Sequence, residues 1–169
     1  MDNNALLYKI ALHESAHAIL VFHLDKYYVV KEVNISPSGG KTITYDIEAN
    51  LFKKAKHMDN MTFSYAGKCI EELIYGNSEG CEDDLEIIER LAIQIALNVM
   101  DKEWSAYYRY DEEYQTPKVK RKVIRLKRRA EARSKRLVRR CKKEILLLAD
   151  HLYKKHHIDI DEIYDILLG

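Results

Sequence analysis

Proline and glycine are scarce in this chain, at 2 and 6 of its 169 residues. An all-β architecture of many short strands, or a Pro- and Gly-rich low-complexity segment, needs far more breakers, so long helices are expected instead. Cysteine is equally thin. Cys69, Cys81 and Cys141 are odd in number, scattered and without a CxxC pair, which excludes a disulfide scaffold and fits reduced, structural thiols in a reducing compartment. No uninterrupted apolar run approaches the roughly 20 residues of a membrane span, and the first residues lack the basic-then-apolar layout of a signal peptide. A cytoplasmic protein without a membrane span is therefore the expectation.

What the chain does contain is 47% hydrophobic residues and a sharply divided charge. Its length allows one good core, so a single, mainly α-helical α+β domain over residues 1–169 is expected. Residues 1–117 carry a net −9, residues 118–143 set 15 Lys and Arg against Glu131 alone for +14, and residues 144–169 carry −4, leaving +1 overall. The basic stretch follows Pro117 without a breaker until about His156, so it reads as one long helix or two with a bend, with sparse apolar positions in the middle that let it project from the body. Such a helix can bind nucleic acid or another acidic surface. The favoured reading is internal: the basic helix lies against the acidic first part of the chain or a neighbouring subunit.

Near the start stand His13-Glu14-Ser15-Ala16-His17. Residues four apart share one face of a helix, so the two imidazoles of an HExxH segment converge on one metal while the glutamate projects beside them. Zinc lowers the pKa of a bound water from about 15.7 towards about 7, and a neighbouring carboxylate can take its proton and deliver it to a leaving amine. The same three residues could be ordinary surface groups. Ile10, Ala11, Ala18, Ile19, Leu20, Val21 and Phe22 argue otherwise, because they would bury the motif, and buried histidines and glutamate need partners or a metal.

A third ligand is needed, and the stretch AGKCIEELIYGNSEGCEDDLEIIERLA from Ala66 to Ala92 offers one. Ala66, Gly67, Lys68, Glu71, Glu72 and Gly76, then Gly80, Asp83, Asp84 and Leu85, resemble the peptidase domain of the FtsH family of ATP-dependent zinc proteases. There, a helix with a paired glutamate ends at a glycine, and an acidic turn opens the next helix. The resemblance extends over nearly the whole chain, including the C-terminal LADHLYKKHHIDIDEIYDILL. It implies an FtsH peptidase-like fold, a Zn2+ cofactor, His13, His17 and Asp84 as metal ligands, Glu14 as catalytic base, and peptide or unfolded protein as substrate. The family usually reads HEAGH, so Ser15 and Ala16 are departures that could tighten packing behind the metal helix without touching a ligand.

A rival third ligand is Glu48, since Ile47-Glu48-Ala49-Asn50-Leu51-Phe52 resembles the helix that follows HExxH in repressor-cleaving ImmA/IrrE-type regulators. That reading leaves the Ala66 to Asp84 match unexplained. Full FtsH proteins carry a membrane anchor and an ATPase ring ahead of the peptidase part, and neither is expected in this chain. Ser38-Gly39-Gly40-Lys41-Thr42 ends like a phosphate-binding loop, yet Ile35 stands where the first glycine belongs and strand follows it. The chain would then act alone on unfolded or short substrates, or borrow an unfoldase in trans. A sixfold or other homo-oligomer stays open.

Periodicity supplies the remaining layout. Leu6 to about His23 is the metal helix, with Asn3 or Asn4 as cap. Tyr27 to Ile35 and Lys41 to Tyr45 read as strands joined by a Ser-Pro-Ser-Gly-Gly turn. Thr42, Ile43, Thr44 and Tyr45 are candidates to pair with an extended substrate backbone, or simply to cover the core. Helices are expected from about Asp59 to Tyr75, where Glu71 or Glu72 could support a metal-bound histidine, and from about Asp83 to Met100. Trp104 to Tyr114 has no clear period and reads as loop. Asp159 and Glu162 form a capping-box pattern before a last short helix, with His156 and His157 as solvated linker. Two other classes remain beside the peptidase: a non-catalytic adaptor on the same fold, and a DNA-associated regulator.

Overall fold

The computed structural model describes residues 3–47, 53–98 and 116–169. Among these the order is α1 (Asn3–His23), β1 (Tyr28–Ser36), β2 (Gly39–Asp46), α2 (Lys54–Ser64), α3 (Ala66–Tyr75), α4 (Glu82–Leu97), α5 (Pro117–Arg140), α6 (Lys142–Lys155), β3 (His157–Asp159) and α7 (Ile160–Leu168). The architecture is α+β and mainly helical. Glu48 and the Trp104 to Tyr114 tract lie outside the described residues.

α1 is the axis of the fold. Every residue from Ala11 to Val21 is buried, because α6, α3, β1 and β2 all pack on it. A helix apolar on all sides is stable only when covered on all sides. By length and composition α1 could cross a membrane, contrary to the expectation from its sequence. His13, Glu14 and His17 break up its apolar run, but their polarity is too little to lower the mean hydropathy below that of a spanning segment. The helix already includes Asn3 and Asn4, so neither is its cap.

β1 and β2 form the expected hairpin, with Val33 opposite Thr42 and a bulge between Val30 and Glu32. Ser38 to Thr42 makes its turn and the start of β2, so no helix N-terminus follows to cradle a phosphate. The sheet order is β2-β1-β3. β3 has no counterpart among the expected elements: His156 is the left-handed cap of α6 at φ 65°, its carbonyl accepts the Ile35 N–H at 2.9 Å, and His157 opens a strand that lays the fully buried Ile158 opposite Val33. The side chains of both histidines are exposed, as expected of a solvated linker, and it is their backbone that is structural. A single buried isoleucine between polar neighbours carries too little pattern to signal a strand of three residues.

The helix expected from Asp59 to Tyr75 is two helices, broken at Tyr65. Gly76 ends α3 in the left-handed region, φ 82°, where glycine has no Cβ to clash. The capping box of Asp159 and Glu162 is formed at α7.

α5 does not project. Thr116 caps it, accepting from the Val119 N–H, and Pro117 occupies its first turn. Val123, Leu126, Ala130, Ser134 and Val138 form a buried seam against α2, α3 and α4. The sparse middle of the apolar pattern is filled by the small Ala130 and Ser134, which allow close approach. Ion pairs flank the seam: Lys68 with Glu131 at 2.7 Å and Glu72 at 3.1 Å, Lys135 with Glu72 at 3.2 Å, Lys127 with Glu89, and Arg133 with Asp59. At Cys141 the chain bends into α6.

Candidate metal centre and active site

α1 presents His13 and His17 one turn apart on its side facing α3 and α4, with their rings 4.8 Å between centroids. The first turn of α4 brings Asp84 to them: His13 Nε2 and His17 Nε2 each lie 3.1 Å from Asp84 Oδ2. The outer ring nitrogens are fixed from behind. His17 Nδ1 is 2.7 Å from the Phe63 carbonyl, and a carbonyl can only accept, so Nδ1 carries the hydrogen. His13 Nδ1 donates to Glu71 Oε1 at 2.6 Å. In the neutral rings both Nε2 lone pairs therefore face the Asp84 carboxylate.

Three electron-pair donors, all within 4.8 Å of one another, repel unless a cation or protons lie among them. Burial opposes charge on His13, yet its hydrogen bonds with Asp84 and Glu71 outweigh this and raise its pKa to about 9. Burial likewise opposes charge on Asp84, and the two histidines nevertheless hold it well below the usual carboxylate range. Glu71 is also lowered, by His13, the Glu79 N–H and Lys9 acting against its burial. The cluster thus favours positive charge at its centre. Two imidazole nitrogens, one carboxylate oxygen, and outer hydrogen bonds that orient the rings form a donor set that fits zinc.

Of the paired glutamates, Glu71 reaches the histidine and is 2% exposed, whereas Glu72 turns to Lys68 and Lys135. The choice follows from helix geometry, since Glu71 is one turn after Gly67 and shares its face towards α1. Gly67 itself is tightly constrained: a Cβ there would stand 2.2 Å from His13 Nε2. Sequence reasoning has no access to the Phe63 carbonyl, a backbone group freed for His17 by the break between α2 and α3.

Glu14 is buried on the hairpin side of α1. Thr42 Oγ1 lies 2.8 Å from Glu14 Oε2 and 3.0 Å from the Glu14 carbonyl, so its hydroxyl hydrogen serves either acceptor. A Cβ on Gly40 would come within 2.5 Å of Glu14 Cγ, so the hairpin backbone passes directly over this side chain. A cleft of about 560 Å³ joins these parts, lined among others by His13, Glu14, His17, Thr42, Thr44 and Asp84. Ile43 and Tyr45 are not in its wall, as the alternation of a strand requires; Tyr45 is 57% exposed and lies beside Lys31. Thr42 thus meets Glu14 as well as the cleft, a role the sequence does not suggest.

Another group of ligand-type side chains among the described residues is His23, Cys141 and Glu144. His23 at the end of α1 pairs with Glu144 in the first turn of α6 at 2.5 Å, the arrangement that helix dipoles favour. Cys69, Cys81 and Cys141 are all buried free thiols.

Comparison with known proteins places the chain in a family. Residues 4–166 match peptidase family M41. The chain is 30% identical over 52% of its length to the ATP-dependent zinc metalloprotease FtsH 1 of Methylacidiphilum infernorum, covering 15% of that protein. It is 34% identical over 53% of its length to the FtsH protease of Rhodothermus marinus, covering 14% of it. With the FtsH protease of Thermotoga maritima the match is 23% over 94% of the chain and 30% of the relative. The chain therefore spans less than a third of the length of these relatives. Together with the match over nearly all its residues, this shows that the chain belongs to peptidase family M41, the zinc metalloprotease family of the FtsH proteins.

Proposed function

We propose that this chain is a zinc-dependent endopeptidase that hydrolyses peptide bonds in unfolded or short protein substrates and needs no ATP for the chemistry. The observation that carries the reading is the convergence of His13 Nε2, His17 Nε2 and Asp84 Oδ2 within 4.8 Å, with the buried Glu14 beside them. Zinc held by these three residues supplies Lewis acidity, polarising a peptide carbonyl and lowering the pKa of water. Glu14 takes the proton of the attacking water and passes it to the departing amine. Thr42 orients the Glu14 carboxylate for both transfers, and Glu71 and the Phe63 carbonyl keep the imidazoles in one tautomer.

β2 supplies the substrate platform. Its outer edge has no strand partner among the described residues, so an extended peptide can add to the sheet, with Thr42 and Thr44 towards the cleft. A backbone held this way presents its scissile carbonyl at a fixed distance, which converts much of the entropic cost of reaction into binding. A peptide added to the sheet is extended, so substrates must be unfolded already or be delivered by an unfoldase.

Glu14→Gln tests the assignment. The variant is expected to keep about one zinc per chain and to lose at least about a hundredfold in the rate of cleavage of a denatured, labelled protein, the usual contribution of a general base. Added ATP should leave the wild-type rate unchanged. Equal turnover in the variant would mean that Glu14 is not the general base.

A further inference from the structure

Internal neutralisation accounts for only part of the basic helix. Of the fifteen Lys and Arg in residues 118–143, those that meet a carboxylate among the described residues are Lys127, Arg133 and Lys135. They flank the buried seam. On the opposite face of α5, at steps of three, four or seven or eight residues, stand Arg121, Arg125, Arg128, Arg129, Arg136 and Arg139, all exposed. Charge at this density without carboxylate partners among the described residues is self-repelling, and Val123, Leu126, Ala130, Ser134 and Val138 anchor the helix from the other side.

We propose that this outer face of α5 is a docking surface for the phosphate backbone of double-stranded nucleic acid. Three observations select that partner. The ridge is mostly arginine, with the exposed Lys118 at its start, and planar guanidinium forks match phosphate oxygens in pairs where lysine offers a point charge. It lacks an apolar side for a lipid surface: a helix that lies in a membrane interface must bury an apolar face there, and the apolar face of α5 is already spent on the core. Ile124 is the one large hydrophobic residue of α5 that is well exposed, at 49%. The ridge also contains no aromatic side chain, so it has no platform for the stacked bases of a single strand. A straight helix of 24 residues is about 36 Å long at 1.5 Å per residue, close to one turn of duplex at about 34–36 Å. Binding is through the backbone and independent of sequence. It places the peptidase on nucleic acid, where proteins bound to the same duplex become its neighbours.

The test uses the full chain and a fluorescent DNA duplex of about 24 base pairs of arbitrary sequence, titrated by anisotropy between about 50 and 200 mM salt. Binding that weakens linearly in log affinity against log salt is expected. In the variant carrying Arg125→Gln, Arg128→Gln and Arg129→Gln, the slope should fall by about 2.7, at about 0.9 per lost phosphate contact. Lys26→Gln with Lys154→Gln, two exposed lysines off the ridge, should leave it unchanged. Zinc content equal to wild type shows that the variants are folded. The proposal is overturned by no binding at the lowest salt or by an unchanged slope in the triple arginine variant. It is overturned equally if phosphatidylglycerol vesicles or polyglutamate are bound and the duplex is not.

Discussion

At the scale of single residues the candidate site leaves no room for a side chain at two glycines. Gly67 backs the His13 ring and Gly40 lies over Glu14, with absent Cβ atoms that would stand 2.2 and 2.5 Å away. Contacts that short force something to move. Alanine at the two positions should therefore separate binding from chemistry. Gly67→Ala should displace His13, a proposed ligand, and is expected to weaken zinc affinity at least tenfold, by analogy with loss of an outer-sphere partner, as read by competition with a chromogenic chelator. Gly40→Ala should displace Glu14, the proposed base, and keep zinc while lowering the cleavage rate. Loss of zinc in both variants, or in neither, would contradict this division. HExxH makes His13, Glu14 and His17 visible from their spacing alone, because one helix face determines their geometry. Asp84 is visible only through family resemblance, Glu71 also as one of a carboxylate pair able to support a metal-bound histidine, and the Phe63 carbonyl is invisible because any side chain could stand above that backbone group.

Among the elements, long and strongly patterned segments are the legible ones. α1, the hairpin and α4 lie where periodicity puts them, within a few residues. Departures fall where a decisive interaction is long-range. β3 exists because β1 offers it an edge, and α5 lies flat because Ala130 and Ser134, too small to count as an apolar stripe, let it approach α3 and α4. The network of Lys68, Glu72, Glu131 and Lys135 secures that contact and gives it a pH dependence. Burial raises the Glu131 pKa, but Lys68 and Lys135 outweigh it and bring it below its ordinary 4.5. A carboxyl whose pKa is depressed by folding stabilises the native state above its unfolded pKa, and loses this as pH falls through its folded one. Urea midpoints of the wild type and Glu131→Gln should thus differ near neutral pH, with the variant weaker. The two should converge as pH drops below the ordinary glutamate range. A gap that stays constant across that range would mean that Glu131 acts through packing alone.

For the whole molecule, the proposed metal site would be a clasp between segments distant in sequence. His13 and His17 sit on α1, Asp84 opens α4, and Glu71 on α3 holds His13. A ligand that binds only the folded state stabilises it by RT ln(1 + [L]/Kd), about 2.7 kcal/mol at a hundredfold excess over Kd. For a chain of this length, about 1 kcal/mol shifts Tm by about 2–4 °C. Chelation should accordingly lower Tm by roughly 5–11 °C, and Asp84→Ala, which already lacks the clasp, should show almost no further change. An equal shift in both proteins would mean that the chelator acts elsewhere.

The burial of α1 also has a temporal side. Its apolar surface is covered in large part by α6, which ends more than a hundred residues after α1 does. At about 5–20 residues per second, translation takes roughly 7–26 s to cover that interval. Throughout it the nascent chain displays a helix as long and apolar as a membrane-spanning one, with its greasy flank unclad. Release from the ribosome before α6 emerges would leave that flank without its native cover, so the late part of the chain protects the early part as well as completing the fold.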